Sequence, residues 1–367
     1  MVENKRYRTD TFHAKSLENN PLDAPVERDI HIYLPPGYFE EERAYPVIYY
    51  LHGYSGNNHG WSITYENSDY RSLPWEIMPK DILKRIDLER ITTFEKLDEE
   101  ISSGKLTPCI LVQPDGSLHE PHIDGRKNLA GEVMTKGSFY VNSPFTGNYM
   151  DYIADDIINY IDSNYRTIAE KDNRALMGGS MGGYGTLYIT LHHPDKFISA
   201  VALSPGNLGK IDILDWELRI PIYEEILGEK MGRKVINSSW RDILDTLDLI
   251  FSDENRLIPS IERGEDGKII DFNHDAYENW QQYDLNDIMK KHPEALKTID
   301  LLINCEKNDE FLLAEGSKQL HETLNELNIE HSFEIYNDPK AELSPHILGI
   351  KYHVLPGMRF CTSHFKQ

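Results

Sequence analysis

One serine of the chain stands among glycines in a pattern that could carry nucleophilic chemistry. Ser180 is the centre of the pentapeptide Gly178-Gly179-Ser180-Met181-Gly182, which has the form G-x-S-x-G. The pentapeptide follows a short apolar run, 175–177, and precedes a stretch with helical spacing. In such a strand–serine–helix turn the serine backbone is strained, so the residues two before and two after need almost no side chain. Gly178 and Gly182 meet that need, and Ser180 is the predicted nucleophile.

Other uses of clustered glycines are weighed against this interpretation. A phosphate cradle also places glycines between a strand and a helix, but the spacing around Ser180 is not G-x-G-x-x-G and no G-K-[ST] follows. A purely structural turn is a further alternative, since the pentapeptide alone occurs by chance in many chains. The position between an apolar run and a helical pattern favours the nucleophile.

A nucleophilic serine also needs donors for the oxyanion of its tetrahedral intermediate. One donor should be the backbone N–H of Met181, directly after the serine. The second is expected after an earlier strand, where Leu51-His52-Gly53-Tyr54 leads from an apolar run into His-Gly. We predict that the Tyr54 N–H is this donor and that Gly53 allows the bend. His52 is expected to brace the loop, because a base this early breaks the serine, acid, histidine order that accompanies such turns.

The acid and the base of a serine triad should follow later in the chain. After a late apolar run, Asp309 stands just before a helical pattern and is the predicted acid, with Glu306 and Glu310 as the alternatives. The base must be a histidine, since imidazole takes up and returns a proton near neutral pH. His346 follows the last predicted strand and a loop, and it is the predicted base, with His353 as the alternative.

Apolar runs and helical patterns alternate along the chain and must position these residues. Each run is short and ends in a loop rich in Gly, Asp, Ser or Pro, as strands buried on both faces do. The predicted strands are 26–34, in which residues alternate between the two faces, and the apolar runs 46–51, 109–112, 175–177, 198–203, 301–305 and 333–336. Helical spacing is clearest over 150–161, 182–192 and 313–327. The alternation predicts an α/β fold with a mostly parallel central sheet and helices on both faces.

Two long stretches, 54–108 and 205–280, interrupt this alternation. Interruptions of such length are usually functional loops or caps. We therefore interpret 1–367 as one α/β domain, with 54–108 as an insert near the active site and 205–280 as a cap or lid. All five tryptophans fall in these stretches: Trp61, Trp75, Trp216, Trp240 and Trp280. Trp61, Trp216 and Trp280 are the candidates for lining an acyl or aromatic pocket, and packing of the inserted segments is the alternative.

The charge balance limits the partners of the chain. Its 367 residues include 61 acidic and 38 basic side chains, for a formal net charge of −23. Because this charge repels phosphate groups, we expect neither nucleic acid nor a membrane as a partner. The first twenty residues contain no apolar stretch of the length of a signal peptide core, and no run in the chain has the length of a membrane span, which predicts a cytoplasmic protein. The three cysteines, Cys109, Cys305 and Cys361, are far apart and favour reduced thiols in the core.

Several stretches besides the turn Gly178–Gly182, called the elbow below, resemble the putative-esterase family of α/β-hydrolases, which includes S-formylglutathione hydrolases, feruloyl and acetylxylan esterases and mycolyltransferases. These stretches are 137–144 with 146–148, 161–167 and 193–197, and the resemblance covers most of 26–205 and about 280–367. It implies an α/β-hydrolase fold with Ser180 as nucleophile, Asp309 as acid and His346 as base. It also implies the N–H groups of Tyr54 and Met181 as oxyanion donors.

The residues and the resemblance together predict a serine carboxylic-ester hydrolase. It should act through an acyl-enzyme on a small-molecule ester with a small or aromatic acyl group, without a cofactor, and the sequence is compatible with a homo-oligomer. The alternatives on the same residues are a thioesterase of the S-formylglutathione type and an acyltransferase, and a non-catalytic binding protein comes last. No metal is expected, because Pro121 argues against a helical pair of ligands at His119 and His122.

Overall fold

The structure, a computed structural model, describes residues 6–58, 93–121, 135–208, 238–252, 259–263, 269–342 and 345–366. Much of the two predicted inserts therefore lies outside the described residues, including Trp61, Trp75 and Trp216. Within the described ranges no helix is both long enough and apolar enough to cross a membrane.

The largest element of the fold is an eight-stranded sheet. Its strands are β1 (Tyr7–His13), β2 (Glu27–Tyr33), β3 (Val47–Leu51), β4 (Ile110–Pro114), β5 (Arg174–Gly179), β6 (Ser199–Leu203), β7 (Asp300–Glu306) and β8 (Ser332–Tyr336). Their spatial order is β1-β2-β4-β3-β5-β6-β7-β8, and only the pairs made by β1 and β2 are antiparallel in this sheet. The central strands β3, β4 and β6 are buried throughout, which accounts for their predominantly apolar sequences.

Helices cover both faces of this sheet. They are α1 (Thr93–Ser102), α2 (Tyr149–Asp151), α3 (Ile158–Asn164), α4 (Met181–His192), α5 (Ser238–Ile250), α6 (His274–Trp280), α7 (Leu285–Lys291), α8 (Leu313–Glu326) and α9 (Pro345–Ser363), with a π-helical turn, Tyr152–Ile157, between α2 and α3. Leu97 of α1 and Ile350 of α9 share one buried cluster with Met177 of β5. Leu320 of α8 belongs to the other cluster, with Leu176 of β5. Since neighbouring residues of a strand point to opposite faces, the predicted α/β layering is confirmed.

Short ribbons and turns complete the described elements. The ribbons pair Ser117–Pro121 with Thr135–Gly137, Asn142–Ser143 with Gly147–Asn148, and Ile261–Arg263 with Ile269–Phe272. Short 3-10 turns span Lys15–Leu17, Lys171–Asn173, Ala295–Thr298 and Pro339–Ala341. Gly137, at the end of the first ribbon, lies next to the side chains of Tyr54 and Met181, the two predicted oxyanion residues.

The parallel register brings the carboxyl ends of the central strands to one edge of the sheet. Leu51 of β3 is paired with Gly178 of β5, and Gly179 of β5 with Leu203 of β6. Leu203 is paired in turn with Asn304 of β7. The loops that follow β3, β5 and β7 therefore leave the sheet at this edge, and they carry the predicted oxyanion, nucleophile and acid residues. Ligands of open α/β sheets bind at such an edge.

Candidate active site

Ser180 occupies the turn between β5 and α4 in a strained backbone conformation. Its φ and ψ are 59° and −119°, a combination that non-glycine residues adopt at a cost of about 1–3 kcal/mol. Two hydrogen bonds hold the turn. The Ser180 N–H donates to the Leu203 carbonyl at 2.9 Å, and the Tyr184 N–H donates to the Ser180 carbonyl at 3.0 Å. The first ties the serine to β6 and the second starts the helix, so both neighbouring elements keep the strain in place.

The two elbow glycines face each other across this turn. A Cβ added to Gly178 would lie 2.5 Å from the carbonyl carbon of Gly182, and one added to Gly182 would collide with the carbonyl oxygen of Leu51. All of these neighbours are backbone atoms, which cannot rotate away as a side chain can. The absence of a side chain at both positions is therefore a packing requirement of the elbow.

Replacing Gly182 with alanine is expected to lower the free energy of unfolding by about 3 kcal/mol, because the new methyl group has backbone on two sides. This loss has to exceed the gain in helix propensity, which is about 1 kcal/mol for glycine to alanine. Gly206→Ala is the matched control, since a Cβ there meets its nearest neighbour at an ordinary 3.8 Å. Urea unfolding measures the free energy of unfolding of both variants. Equal losses in Gly182→Ala and Gly206→Ala would contradict the packing account.

The structure brings Asp309 and His346 together in the interior. The Oδ2 atom of Asp309 lies 2.6 Å from Nδ1 of His346, and both side chains are buried. An ionised carboxylate can only accept a hydrogen bond, so Nδ1 carries the proton and donates it. This arrangement leaves Nε2 of His346 as the unprotonated nitrogen, which is the one able to accept a proton.

The loop after β7 fixes the Asp309 carboxylate. The Phe311 N–H donates to Oδ1 at 2.9 Å, and the Asp309 N–H donates to the Glu306 carbonyl at 3.2 Å. The Cys305 thiol lies 3.8 Å from Oδ2, in range for a weak S–H donor. The ring of Phe311 packs on that of His346 with centroids 4.6 Å apart. One short loop thus holds the carboxylate and one side of the imidazole.

The two rival carboxylates have other partners. Glu306 accepts the N–H of Asn308 within the same loop. Glu310 accepts the backbone N–H of His346 at 2.6 Å through Oε2. Because that N–H belongs to the first turn of α9, where no intrahelical acceptor exists, Glu310 caps the helix that carries His346.

Burial and charge act in opposite directions on His346. Burial lowers the pKa of the imidazole, but the charge and hydrogen bond of Asp309 outweigh it, and Glu310 adds to them. The net result is a pKa raised above the ordinary 6.5. Both carboxylates therefore favour the protonated imidazolium, which would form when a proton is taken from a serine.

Helix α9 connects the histidine to the elbow. A Cβ added to Gly179 would lie 2.6 Å from Cγ2 of Ile350, one turn after His346. On the same helix, a Cβ added to Gly349 would lie 3.1 Å from Cβ of Glu306. The first turns of α9 thus pack against the ends of both β5 and β7, at the edge of the sheet that carries Ser180.

The side chains of the two predicted oxyanion residues, Tyr54 and Met181, both lie next to Gly137. A Cβ added there would collide with the Met181 thioether and lie 3.1 Å from Cδ2 of Tyr54. Met181 is the first residue of α4, so its N–H has no acceptor within the helix. In the loop after β3, the positive φ belongs to Ser55, at 65°, two residues after Gly53.

His52 braces the loop after β3, as its position in the chain indicated. The Gly116 N–H donates to Nε2 of His52 at 2.9 Å, so Nδ1 carries the proton and donates to the Gly53 carbonyl at 2.8 Å. The Tyr140 hydroxyl donates to the His52 carbonyl at 3.0 Å. Both ring nitrogens are used in these bonds, which ties the loop after β3 to the loop after β4.

A buried ion pair that the sequence analysis missed lies behind His52. Nη2 of Arg28 lies 3.9 Å from Oδ2 of Asp115 and donates to the Asp115 carbonyl at 2.9 Å. Nε2 of His119 lies 3.0 Å from the Asp115 carboxylate. Burial raises the pKa of Asp115, but Arg28, with His119 and His52, outweighs it and holds the pKa well below the ordinary value. Among the described residues, which do not include His122, no three His, Cys, Asp or Glu side chains form a group able to hold a metal.

The alternative base, His353, is engaged within its own helix. Its Nδ1 donates to the Gly349 carbonyl at 2.9 Å, and its ring stacks on Tyr336 with centroids 3.7 Å apart. The structure thus pairs a carboxylate with the imidazole of His346, not with that of His353.

Of the three tryptophans predicted to line a pocket, Trp280 is described, and Trp61 and Trp216 lie outside the described residues. Trp280 is 2% exposed and packs edge-on against Phe251, with ring centroids 5.0 Å apart. Its burial supports the alternative in which it packs the inserted segment. The three cysteines are buried and free.

These features first define a class of protein. A serine raised on a strained strand-to-helix turn of a mostly parallel sheet is the hallmark of α/β-hydrolases. Solved structures share the fold: a ferulic acid esterase has a TM-score of 0.58 at 17% identity and covers 98% of both chains. An S-formylglutathione hydrolase from Agrobacterium tumefaciens has a TM-score of 0.54 at 16% identity, covering 98% of this chain and 95% of that one.

Sequence comparison then shows the family. The model of the family described as "Putative esterase" matches residues 24–340, and the chain belongs to this family. A protein of Xylanibacter ruminicola named endo-1,4-beta-xylanase/feruloyl esterase is 28% identical over 189 residues, 50% of this chain and 20% of that protein. An esterase of Mycobacterium tuberculosis is 28% identical over 185 residues, 49% of this chain and 29% of that protein. The chain thus matches less than a third of the length of these two relatives.

Proposed function

We propose that this member of the esterase family is a serine carboxylic-ester hydrolase that works through an acyl-enzyme. The observation that carries the proposal is the buried hydrogen bond between Asp309 and His346, at 2.6 Å, at the sheet edge where Ser180 occupies a strained turn. Such a pair has a chemical use near a serine hydroxyl, because its imidazole accepts the hydroxyl proton and its carboxylate stabilises the resulting imidazolium.

The reaction proceeds in two halves. Nε2 of His346 takes the Ser180 proton while Oγ attacks the ester carbonyl, and the N–H groups of Tyr54 and Met181 bind the resulting oxyanion. The intermediate collapses, the C–O bond to the alcohol breaks, and the imidazolium returns its proton to the leaving alcohol. Water then attacks the acyl-enzyme with the same histidine as base, and the carboxylic acid leaves as Ser180 recovers its proton.

The substrate is proposed to be a small-molecule ester with a small or aromatic acyl group. The names of the relatives and of the fold neighbours support feruloyl esters as the first candidates. An S-formylglutathione-type thioester is the second candidate, supported by the fold neighbour from Agrobacterium tumefaciens. The net charge of −23 disfavours this anionic thioester only mildly relative to a neutral ester.

A panel of substrates tests this proposal. It comprises p-nitrophenyl esters from acetate to decanoate, methyl ferulate and S-formylglutathione, each with and without an added acceptor alcohol. We expect kcat/KM to be highest for a short or aromatic ester and water to remain the main acceptor. A dominant transfer of the acyl group to the added alcohol would instead assign an acyltransferase, and inertness toward every ester would contradict the proposal.

The raised pKa of His346 predicts the acid limb of the pH profile. Imidazolium cannot accept the Ser180 proton, so kcat/KM must fall as the pH falls through the His346 pKa, and the midpoint should lie above 6.5. Glu310→Gln keeps an oxygen that accepts the His346 N–H but removes a charge that raises the pKa. The acid limb of this variant should therefore move to lower pH, with the plateau of kcat/KM within about twofold of wild type.

Glu315→Gln is the matched control for this shift, because Glu315 is paired with Lys318 on the exposed side of α8. Its pH profile should coincide with that of wild type. An acid limb that stays in place or moves to higher pH in Glu310→Gln would contradict the electrostatic role of Glu310.

A further inference from the structure

The side chain of Tyr54 is bound to a helix that lies nearly two hundred residues away in the chain. The Tyr54 hydroxyl donates to Oδ2 of Asp242 at 2.7 Å, and it lies 2.7 Å from Oγ1 of Thr246. Both partners are on α5 and are 0% exposed. Thr246 Oγ1 also donates to the Asp242 carbonyl at 2.6 Å, one turn earlier in the helix. The Tyr54 hydroxyl thus belongs to a small buried polar cluster with the side chains of Asp242 and Thr246.

The ring of Tyr54 is also in contact with neighbouring residues. Its Cδ2 atom lies close to Gly137, which also contacts the Met181 thioether. The ring of Phe139 packs on that of Tyr54, with centroids 5.9 Å apart. Because the bonds at a Cα atom have fixed angles, a side chain held at its ring and its hydroxyl restricts the direction of its own N–H.

We propose that Asp242 and Thr246 are positioning residues for the oxyanion hole, which hold the Tyr54 side chain so that the Tyr54 N–H points at the reacting carbonyl. This inference rests on the proposed function, since it assigns a task to the donor opposite Met181. It also gives a role to α5, a helix inside the stretch 205–280.

The chemistry of the contact fits positioning better than packing. A buried carboxylate loses its hydration and is retained only with strong partners, whereas apolar side chains would fill the same space without that cost. Burial, followed by the charge of Asp242, raises the pKa of Tyr54 well above its ordinary value. The phenol therefore keeps its proton at any working pH and stays a donor to the carboxylate.

Three variants test the contact: Tyr54→Phe removes the hydroxyl, Asp242→Ala removes its acceptor, and Asp242→Asn keeps an oxygen that can accept it. We measure kcat and KM for p-nitrophenyl acetate, and Ki for a trifluoromethyl ketone, whose adduct with a serine carries an oxyanion. Loss of a whole oxyanion donor costs about 10²–10³-fold in kcat, so a misaimed donor should cost about tenfold.

The expected pattern is specific to the transition state. Tyr54→Phe and Asp242→Ala should lower kcat about tenfold with KM within about twofold, and should raise Ki of the ketone by the same factor as kcat falls. Asp242→Asn should stay within about threefold of wild type. The matched control is Ser143→Ala, which removes the bond from Ser143 Oγ to the Ile250 carbonyl at the other end of α5. It should lower the melting temperature without changing Ki.

Other outcomes separate the two proposals. If wild type hydrolyses esters and Ser180→Ala does not, but Tyr54→Phe keeps its kcat and Ki, the positioning role is overturned and the proposed function stands. If Tyr54→Phe changes kcat and Ki no more than Ser143→Ala does, the contact is structural only. If Ser180→Ala keeps the wild-type rate, the proposed function itself fails. Should Asp242→Ala fold poorly, as judged by circular dichroism, Tyr54→Phe alone decides.

Discussion

Replacing Ser180 with alanine is expected to lower kcat/KM for ester hydrolysis by about 10⁵-fold, the loss typical of removing a nucleophile. Without Oγ no acyl-enzyme can form, and only the oxyanion donors and substrate binding are left to assist a direct attack by water. The measurement is the initial rate with the best ester of the panel, at enzyme concentrations high enough to quantify the residual activity.

Folding must be kept apart from chemistry in this comparison. Alanine tolerates the positive φ of residue 180 no better than serine does, so the melting temperature should change little. Ser363→Ala serves as the control, because Ser363 is exposed near the end of α9 and bonds to the Phe360 carbonyl. An alanine variant at position 180 that is well folded and retains more than about a hundredth of the rate would contradict the assignment of the nucleophile.

Replacing Asp309 with asparagine is expected to lower kcat by about 10³–10⁴-fold. The amide oxygen can still accept the Phe311 N–H, so the loop keeps its shape. The amide N–H₂ group then faces Nδ1 of His346 as a donor, which favours the tautomer with the proton on Nε2. In that tautomer the histidine cannot take the Ser180 proton. The measurement is kcat across the pH plateau, with circular dichroism to verify the fold.

Glu306→Gln provides the comparison for this variant. Its amide oxygen can replace the carboxylate as acceptor of the Asn308 N–H, and neither Glu306 nor its loop partner bonds to the imidazole. We expect kcat within about tenfold of wild type. If Glu306→Gln or Glu310→Gln lowered kcat more than Asp309→Asn, the acid would have been assigned to the wrong carboxylate.

The central sheet was predictable because its strands are buried on both faces. The run 46–51 is apolar throughout and 198–203 is apolar apart from Ser199, because burial on both faces favours that composition. The first strand, Tyr7–His13, was missed for the opposite reason. It lies at the sheet edge, most of its residues are at least partly exposed, and its sequence YRTDTFH shows no apolar run.

The local parts of the candidate site could also be predicted. The elbow requires glycine two residues before and two residues after Ser180. This requirement can be recognised in the sequence because it involves only five consecutive residues. Asp309 and His346 were chosen by chain order and by their places after strands. The structure pairs these two with each other, at 2.6 Å, although the sequence alone left Glu310 and His353 open.

The contacts between distant elements could not be predicted. The bond from Glu310 to the His346 N–H depends on how the loop after β7 meets the start of α9. The bonds from Tyr54 to Asp242 and Thr246 join segments whose sequences share no period or motif. Side-chain contacts at such separations follow from the tertiary fold, and a single sequence carries no signal for them.

Trapping the acyl-enzyme tests the central claim most directly. Wild type and Ser180→Ala are mixed with excess p-nitrophenyl ferulate, quenched in acid within the first turnover, and examined by intact-protein and peptide mass spectrometry. The account predicts a burst of one p-nitrophenol per wild-type chain and a feruloyl group on the peptide that contains Ser180, with neither in the variant. A feruloyl group on another residue, or steady turnover without any covalent adduct and without a burst, would contradict it.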